Sequence, residues 1–422
     1  MKRAGGKTAR MKFQFHSQRI RWNFTSQGKG MKVSIIIPVY NAQQYLRRTA
    51  GDLLRQSFCD MEVIFVDDGS TDGSGKMLDH FARKNERVRV IHQENGGTAR
   101  ARNAGIAAAS GEYLMFMDDD DRMARDHVRE YVTAIERSGA DIVIGGYRRV
   151  TPDGRVLFSR RLVKRGCHTS RCQCRCRCKE QNLAEQTEGT QCIGQKTANF
   201  AYTKVEDTTC TRDECHADER NESSSPDRND WQNPGWLAYI NISPWAKIYR
   251  RSFVLQSGAH FLEYPYGEDI YFQMMLLAAN PKIAYISSVS YGWVDRKESI
   301  SNTIHKGIRK EADIFPMLDR VLEAHPGRDE YFRYFLYRHC AYHIYMSGRD
   351  ADLDRLVREF SRCRGWLKRH DLLPVLSPLS PKLEGEILRD RVAVLVIRWA
   401  ARLHLEKLFA RMYCKRKRVD DA

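Results

Sequence analysis

The chain has 422 residues and a net charge of +17, with 70 Lys and Arg against 53 Asp and Glu. That length allows two or three domains around a large core. The charge, with a pI near 9.4, asks for an anionic partner: nucleic acid, a nucleotide or the anionic face of a membrane. No run of 18 uncharged apolar residues occurs, so no spanning helix is expected.

Residues 1–30 carry eight Lys or Arg and no acid, and read as a disordered basic extension. Val33-Ser34-Ile35-Ile36-Ile37-Pro38-Val39-Tyr40 then starts so abruptly that Met31 fits as the first translated residue. This β-branched run predicts a buried parallel strand. Asn41 is placed as the cap of a helix through about Arg55. A second strand, Glu62 to Val66, ends in Asp67-Asp68-Gly69-Ser70, and Ser70 or Thr71 caps the next helix, through about Asn85. Val88 to Ile91 is the third strand, followed by the turn Asn95-Gly96-Gly97-Thr98 and an Ala-rich helix from Ala99 to Ala109. Tyr113 to Met117 is the fourth strand and runs into Asp118-Asp119-Asp120-Asp121. A helix from about Asp126 to Ser138 leads to a strand at 140–145. Alternation of this kind predicts a doubly wound α/β domain, with ligands at the carboxyl ends of the strands. The polar groups of the first four strands gather there.

Residues 166–230 break the pattern. Their 65 positions hold only four of Val, Ile, Leu, Phe or Met: Leu183, Ile193, Phe200 and Val205. Such a stretch cannot bury enough to order itself. It reads as a disordered Cys-rich insertion or a locally out-of-frame translation. Seven of the 12 cysteines lie between Cys167 and Cys210 and an eighth is Cys215, without the paired spacing of structural zinc sites. The globular-looking parts hold only Cys59, Cys340, Cys363 and Cys414. With no apolar leader in residues 1–30, a reducing cytoplasm is expected.

Order is expected again near Trp236. Ser243-Pro244-Trp245-Ala246-Lys247-Ile248-Tyr249-Arg250-Arg251 leads to Tyr266-Gly267-Glu268-Asp269, an apolar helix from Gln273 to Ala279, and a strand at 283–286. From about Lys310 the chain reads as helices, broken by Pro374 to Pro381 and ending in a stretch from Leu388 to Tyr413.

Four adjacent carboxylates repel and raise one another's pKa unless a cation sits among them. A hard divalent ion that also holds a diphosphate would satisfy Asp118 to Asp121. So would a solvated acidic loop at the start of a helix.

The segments SIIIPVYNA (34–42), VDDGSTD (66–72), NGGTARARNAG (95–105) and YLMFMDDDD (113–121) follow one another in the order of the family 2 inverting glycosyltransferases. Trp245 to Arg251 and Gly267-Glu268-Asp269 continue the resemblance beyond the insertion. It covers about 31–160 and 236–304. It implies a GT-A fold, a Rossmann-like, doubly wound mixed sheet, over residues 31–304: a nucleotide-binding half at 31–160, the insertion at 166–230 and an acceptor half at 236–304. A helical C-terminal region, 305–422, follows.

The resemblance assigns residues as well. Asp120 would bind Mg²⁺ or Mn²⁺, and Asp118 would share the metal or face the ribose. Asp119 and Asp121 would face the sugar or cap the next turn. Asp68 would accept from the N–H of a uracil-like base, which favours a UDP-sugar donor. Pro38, Tyr40 and Asn41 would form the loop against the nucleotide, and Arg102-Asn103 would lie by the base and phosphates. Asp269 would be the general base with Glu268 as its neighbour, and Arg296 a diphosphate clamp. Processive relatives carry Gln-x-x-Arg-Trp; here Leu395 stands where the Gln would precede Arg398-Trp399, so one sugar per encounter is expected.

The terminal stretch, from Val392 to Lys415-Arg416-Lys417-Arg418, mixes apolar residues, Arg and Trp. It suits a helix lying on an anionic leaflet, or one packed on the catalytic domain. The expected function is single sugar transfer to a lipid-linked saccharide at the inner face of the cytoplasmic membrane, with no nucleic acid. A polyprenyl-phosphate glycosyl synthase, or a nucleic-acid or metal-binding protein with a degenerate GT-A domain, are the alternatives.

Overall fold

The computed structural model describes residues 31–162, 242–264, 267–296, 313–324, 330–347, 353–373, 376–380, 383 and 388–414. The expectations for 1–30, for the insertion at 166–230 and for Lys415 to Arg418 lie outside the described residues.

Strand β1 (Val33–Val39) is buried along its whole length and pairs in parallel with β2 (Met61–Asp68) on one side and β4 (Tyr113–Phe116) on the other. Successive side chains of a strand point to opposite faces, and the two faces of β1 enter two different cores. Ile36 joins Ile64, Leu114 and Phe116 in one. Val33, Ile35, Ile37 and Val39 join Val63, Phe65 and Met115 in the other. A strand buried on both faces must be apolar throughout, which is why this run shows no alternation.

Helices cover both faces. Helix α3 (Thr98–Ala108) lies on the Ile36 side, where a Cβ on Gly105 would stand 2.3 Å from Ile36 Cγ2. Helices α1 (Gln43–Leu54) and α4 (His127–Ser138) cover the other face through Leu46, Ala50, Leu53, Val128, Tyr131 and Ile135. Helix α2 (Ser74–Lys84) packs beside β3 (Val88–Gln93), which pairs in parallel with β2.

Among the described residues the sheet has seven strands: β10 (Ile283–Tyr285), β6 (Ile142–Ile144), β9 (Lys247–Arg250), then β4, β1, β2 and β3, in that order. Strands β6 and β10 run parallel to each other. Strand β9 enters antiparallel between β4 and β6, with Tyr113 opposite Arg250 and Ile142 opposite Tyr249. The mixed, doubly wound sheet is the expected one.

A second sheet was not expected. Among the described residues it has four strands, β5 (Arg122–Met123), β11 (Tyr291–Val294), β7 (Tyr147–Val150) and β8 (Val156–Arg160), in the order β5-β11-β7-β8. Short strands with one exposed edge carry little periodicity: Val156, Leu157 and Phe158 are all exposed in succession. This sheet places the start of β5 and the end of β11 against the acidic run.

After β9 come α5 (Arg251–Ser257) and α6 (Glu268–Ala278), which carries both members of the acidic pair in its first turn. Helix α7 (Phe315–Ala324) packs on α6, its Met317 and Leu318 entering the core that holds Ile270 and Phe272. Helices α8 (Glu330–Ser347), α9 (Leu353–Arg369), α10 (Leu388–Arg402) and α11 (Glu406–Tyr413) extend that core. Among the described residues no helix is long and apolar enough to cross a membrane.

Candidate active site

Each of the first four strands delivers polar residues at its carboxyl end. At the end of β1, Asn41 adopts φ +51° and caps nothing; α1 begins at Gln43. Its side-chain Oδ1 instead accepts from the backbone N–H of Thr71 at 2.8 Å and of Asp72 at 3.3 Å, while its backbone N–H donates to Ser70 Oγ at 3.1 Å. The expected helix cap is thus a staple between the loops after β1 and β2. Pro38 is buried within β1, and Tyr40 is 50% exposed beside it.

Asp67 and Asp68 are both buried and both engaged. Asp67 accepts from the Ser70 N–H at 3.0 Å, and its other oxygen lies 2.8 Å from His92 Nδ1. Asp68 accepts from Gln93 Nε2 at 2.7 Å, from the Gly96 N–H at 2.9 Å and from the Gly97 N–H at 2.8 Å. Gly97 sits at φ +87°, a conformation glycine adopts at no steric cost. The carboxylate that the resemblance gives to the base therefore shapes the 95–97 turn in this structure.

The four acids after β4 have different surroundings. Asp118 accepts from Arg102 Nη2 at 2.8 Å. Asp119 accepts weakly from the Tyr40 N–H at 3.4 Å, and desolvation, with Asp120 and Asp118 close by, pushes its pKa up to about 8. Asp120 is buried against Arg296, which also lies over the Tyr45 ring at 4.6 Å. Desolvation outweighs that cation and raises Asp120 to about 6.

Asp121 is 1% exposed and belongs to the scaffold. Its oxygens accept from the Tyr291 hydroxyl at 2.6 Å and the Val294 N–H at 2.8 Å, tying the acidic loop to β11. The expectation that Asp121 faces the sugar or caps the following turn is corrected: burial pushes its pKa well up, and both oxygens are used to hold a strand.

The structure brings the two acidic clusters together through one side chain. Arg102, 4% exposed on α3, donates through Nη2 to Asp118 and through Nη1 to Asp269 Oδ1 at 2.7 Å, with Glu268 Oε1 at 3.6 Å. Its guanidinium lies over the Phe261 ring, 5.1 Å from the centroid. Asn103 does not share this task. Its amide bonds the Phe261 backbone at both ends, donating to the carbonyl and accepting from the N–H, each at 2.8 Å. It fixes the ring under Arg102, with both ends of the amide engaged within the protein. Desolvation, reinforced by Glu268 and Asp118, raises Asp269 to about 7 even with Arg102 against it.

One residue escaped the sequence reading. Lys247, in β9, is 1% exposed and donates to the Ser243 carbonyl at 2.5 Å. Burial lowers its pKa to about 7, opposed by the negative charge of Asp269. The signal was available: a lysine between Ala246 and Ile248 in a core strand has to be paired or neutral.

Residues 34–201 match the family model Glycosyl transferase family 2. The chain carries a family 2 glycosyltransferase domain. Over 116 residues it is 42% identical to glycosyltransferase GlyG of Streptococcus pneumoniae, a match covering 27% of this chain and 38% of that protein. Over 123 residues it is 36% identical to the putative teichuronic acid biosynthesis glycosyltransferase TuaG of Bacillus subtilis, covering 29% of this chain and 49% of TuaG. The chain thus spans less than half of either relative. In fold it is similar to Staphylococcus aureus TarS 1–349 in complex with UDP-GlcNAc, with a TM-score of 0.54 at 19% identity, covering 89% of this chain and 92% of that one. The family 2 domain has the GT-A architecture the sequence implied.

Proposed function

We propose that the protein transfers one sugar, with inversion, from a nucleotide-diphosphate donor, UDP-linked in the favoured case, to a hydroxyl of a lipid-linked saccharide in surface polysaccharide synthesis. The observation that carries the reading is Arg102 bridging Asp118 at the end of β4 to Asp269 at the start of α6. A donor-side carboxylate and a candidate base are held by one buried cation, as a reaction joining two substrates at one centre needs. The UDP-GlcNAc bound by TarS and the polymer named for TuaG support the donor and acceptor classes.

In this reading Asp269 accepts the proton of the acceptor hydroxyl as its oxygen attacks the anomeric carbon. The bond to the diphosphate breaks on the opposite side, and the nucleoside diphosphate leaves. Glu268 orients the acceptor and Arg102 holds Asp269 in place. Pro38, Tyr40, Asn41 and Asp68 shape the nucleotide side, and Asp119 faces the sugar. Asp118 and Asp120 fit Mg²⁺ or Mn²⁺ as hard oxygen donors, and Mg²⁺ is commonly held by one or two carboxylates plus substrate phosphates. The cationic Arg296 already rests against Asp120, where positive charge is wanted. Bound there, the ion would neutralise charge on the leaving diphosphate. Arg296 would then be released to clamp the same diphosphate.

Membrane contact belongs to the same proposal. Val392, Val396 and Trp399 of α10 and Leu403 just past its end recur at spacings of four, three and four and are 44% to 54% exposed. That stripe suits an anionic leaflet at the inner face of the cytoplasmic membrane, and the next helix, α11, exposes Lys407 and Arg411. The inner face of α10, with Val394, Ile397 and Ala400, is buried, so packing on the protein and lying on a leaflet are compatible.

The deciding experiment offers a panel of nucleotide sugars with Mn²⁺ and a lipid-linked acceptor, and follows product mass. One donor should give a singly extended product, and Asp269→Asn should lower the rate about 10²–10⁴-fold. Transfer that survives Asp269→Asn would overturn the assignment of the base.

A further inference from the structure

Away from the acids, the C-terminal helices enclose a cavity of about 300 Å³ that no part of the proposed transfer reaction uses. Its walls are Cys340 and Ala341 of α8, Phe360 and Cys363 of α9, and Ile397 and Ala401 of α10. These side chains offer almost nothing to hydrogen-bond. The rim differs sharply in character. Arg364, Arg398 and Arg402 all border the opening, together with the partly exposed Leu373. Arg364 is paired with Glu406 at 3.0 Å. Arg398 donates to the Leu376 carbonyl at 2.9 Å, and Arg402 lies over the Trp399 ring at 5.7 Å. Among the described residues neither Arg398 nor Arg402 has a carboxylate partner within ion-pair distance.

An apolar chamber of this size is at the small end of ligand pockets, and a few polar groups at its mouth would set the orientation of what enters. Two arginines with no acidic partner among the described residues select an anion, and guanidinium groups match phosphate oxygens in geometry. The chamber behind them excludes a free anion as the whole ligand. Helix α10 supplies the last argument. One side lines the cavity with Ile397 and Ala401, while the other carries the exposed stripe of Val392, Val396 and Trp399, with Leu403 just past its end. Arg402 sits between the two faces.

We propose that this cavity takes the apolar chain of a membrane phospholipid, with the lipid phosphate held by Arg398 and Arg402. The chain is drawn from the leaflet on which the outer stripe of α10 rests. The site makes the helical region a lipid-binding element in its own right, independent of whether sugar transfer is the reaction catalysed.

The test uses the full chain and dodecyl phosphate below its micelle concentration. Native mass spectrometry should show saturable binding of one molecule per chain. Dodecyl maltoside, equal in chain but neutral in head, should bind at least about tenfold more weakly, and inorganic phosphate should not compete at equal concentration. Ala401→Phe, which fills the chamber, should abolish binding. Arg398→Gln with Arg402→Gln, at the rim and outside the core, should weaken it about tenfold. A dodecyl phosphate with a terminal diazirine, irradiated with the unaltered chain, should insert into peptides carrying Cys340, Cys363 or Ile397. The proposal is overturned by no binding, by equal affinity for the neutral head, by competition from inorganic phosphate, or by insertion only along Val396 and Trp399.

Discussion

Arg102 sets the electrostatics of the two acidic clusters. It is desolvated, yet three carboxylates hold its charge firmly in place. Asp269 is pulled both ways: burial favours its neutral form, Arg102 favours the anion, and burial wins, leaving it near 7. A base must be deprotonated to act, so kcat/KM should rise with pH through about 7 and level above it. Stability should move the other way. A carboxyl whose folded pKa is raised contributes stability that is whole below its ordinary value of 3.8 and is lost as pH rises through about 7. In the presence of a chelator, Asp269→Asn should flatten the fall in Tm between pH 5 and 7.5. Asp119 and Asp120, raised for similar reasons, keep part of that slope. Arg102→Gln should move the midpoint of the activity profile upward by about 1–3 pH units, because Asp269 then loses its cation. An unmoved midpoint would mean that Arg102 does not govern Asp269. Sequence reasoning reached both acids through their motif spacing. It could not see that one arginine joins them, since Arg102 and Asp269 stand 167 positions apart and only the fold brings them together.

At the scale of elements, the β-branched runs and their helices were legible because burial on both faces leaves a sequence little choice. Gly105 is a case where the sequence records a distance. With a Cβ 2.3 Å from Ile36 Cγ2, Gly105→Ala should force α3 off β1 and cost about 1–3 kcal/mol, seen as a lower urea midpoint. The second sheet was not legible. Its strand β5 has two residues, and what ties β11 to the acidic loop is Asp121, a side chain that looked like one more member of an acidic run. Asp121→Ala should leave the Tyr291 hydroxyl and the Val294 N–H without their acceptor and cost about 1–3 kcal/mol in thermal unfolding. Asp121→Asn, which keeps one acceptor, should cost less. Equal losses would mean the two hydrogen bonds contribute little. The loops after β1 and β2 were misread in detail for a related reason. Asn41 and Asp68 are residue types that both cap and bind, and here Asn41 spends its hydrogen bonds on the loop after β2 and Asp68 on the turn after β3.

At the scale of the whole molecule, charge composition pointed to an anionic partner. In the proposed function the strand-end cluster would take a diphosphate through a divalent cation, and the outer face of α10 would take a leaflet. Trp399→Glu with Val396→Glu should reduce co-flotation with vesicles rich in phosphatidylglycerol at least about tenfold while leaving the melting curve nearly unchanged, since both side chains are about half exposed. Undiminished flotation would place the membrane contact elsewhere. Composition alone could not have chosen between packing and membrane contact for this helix, because the choice depends on which face the rest of the protein covers.

Strand β9 has a consequence for synthesis. It fills the gap between β4 and β6, yet it leaves the ribosome only after residues 163–241 have been made. Until then the amino-terminal half of β4 and the whole of β6 have no neighbour between them, and such edges invite pairing with another chain. At about 5–20 residues per second, those positions add several seconds to the interval in which a half-built sheet is exposed. The yield of native protein should therefore depend on how fast this stretch is translated and on what shields the nascent edge meanwhile.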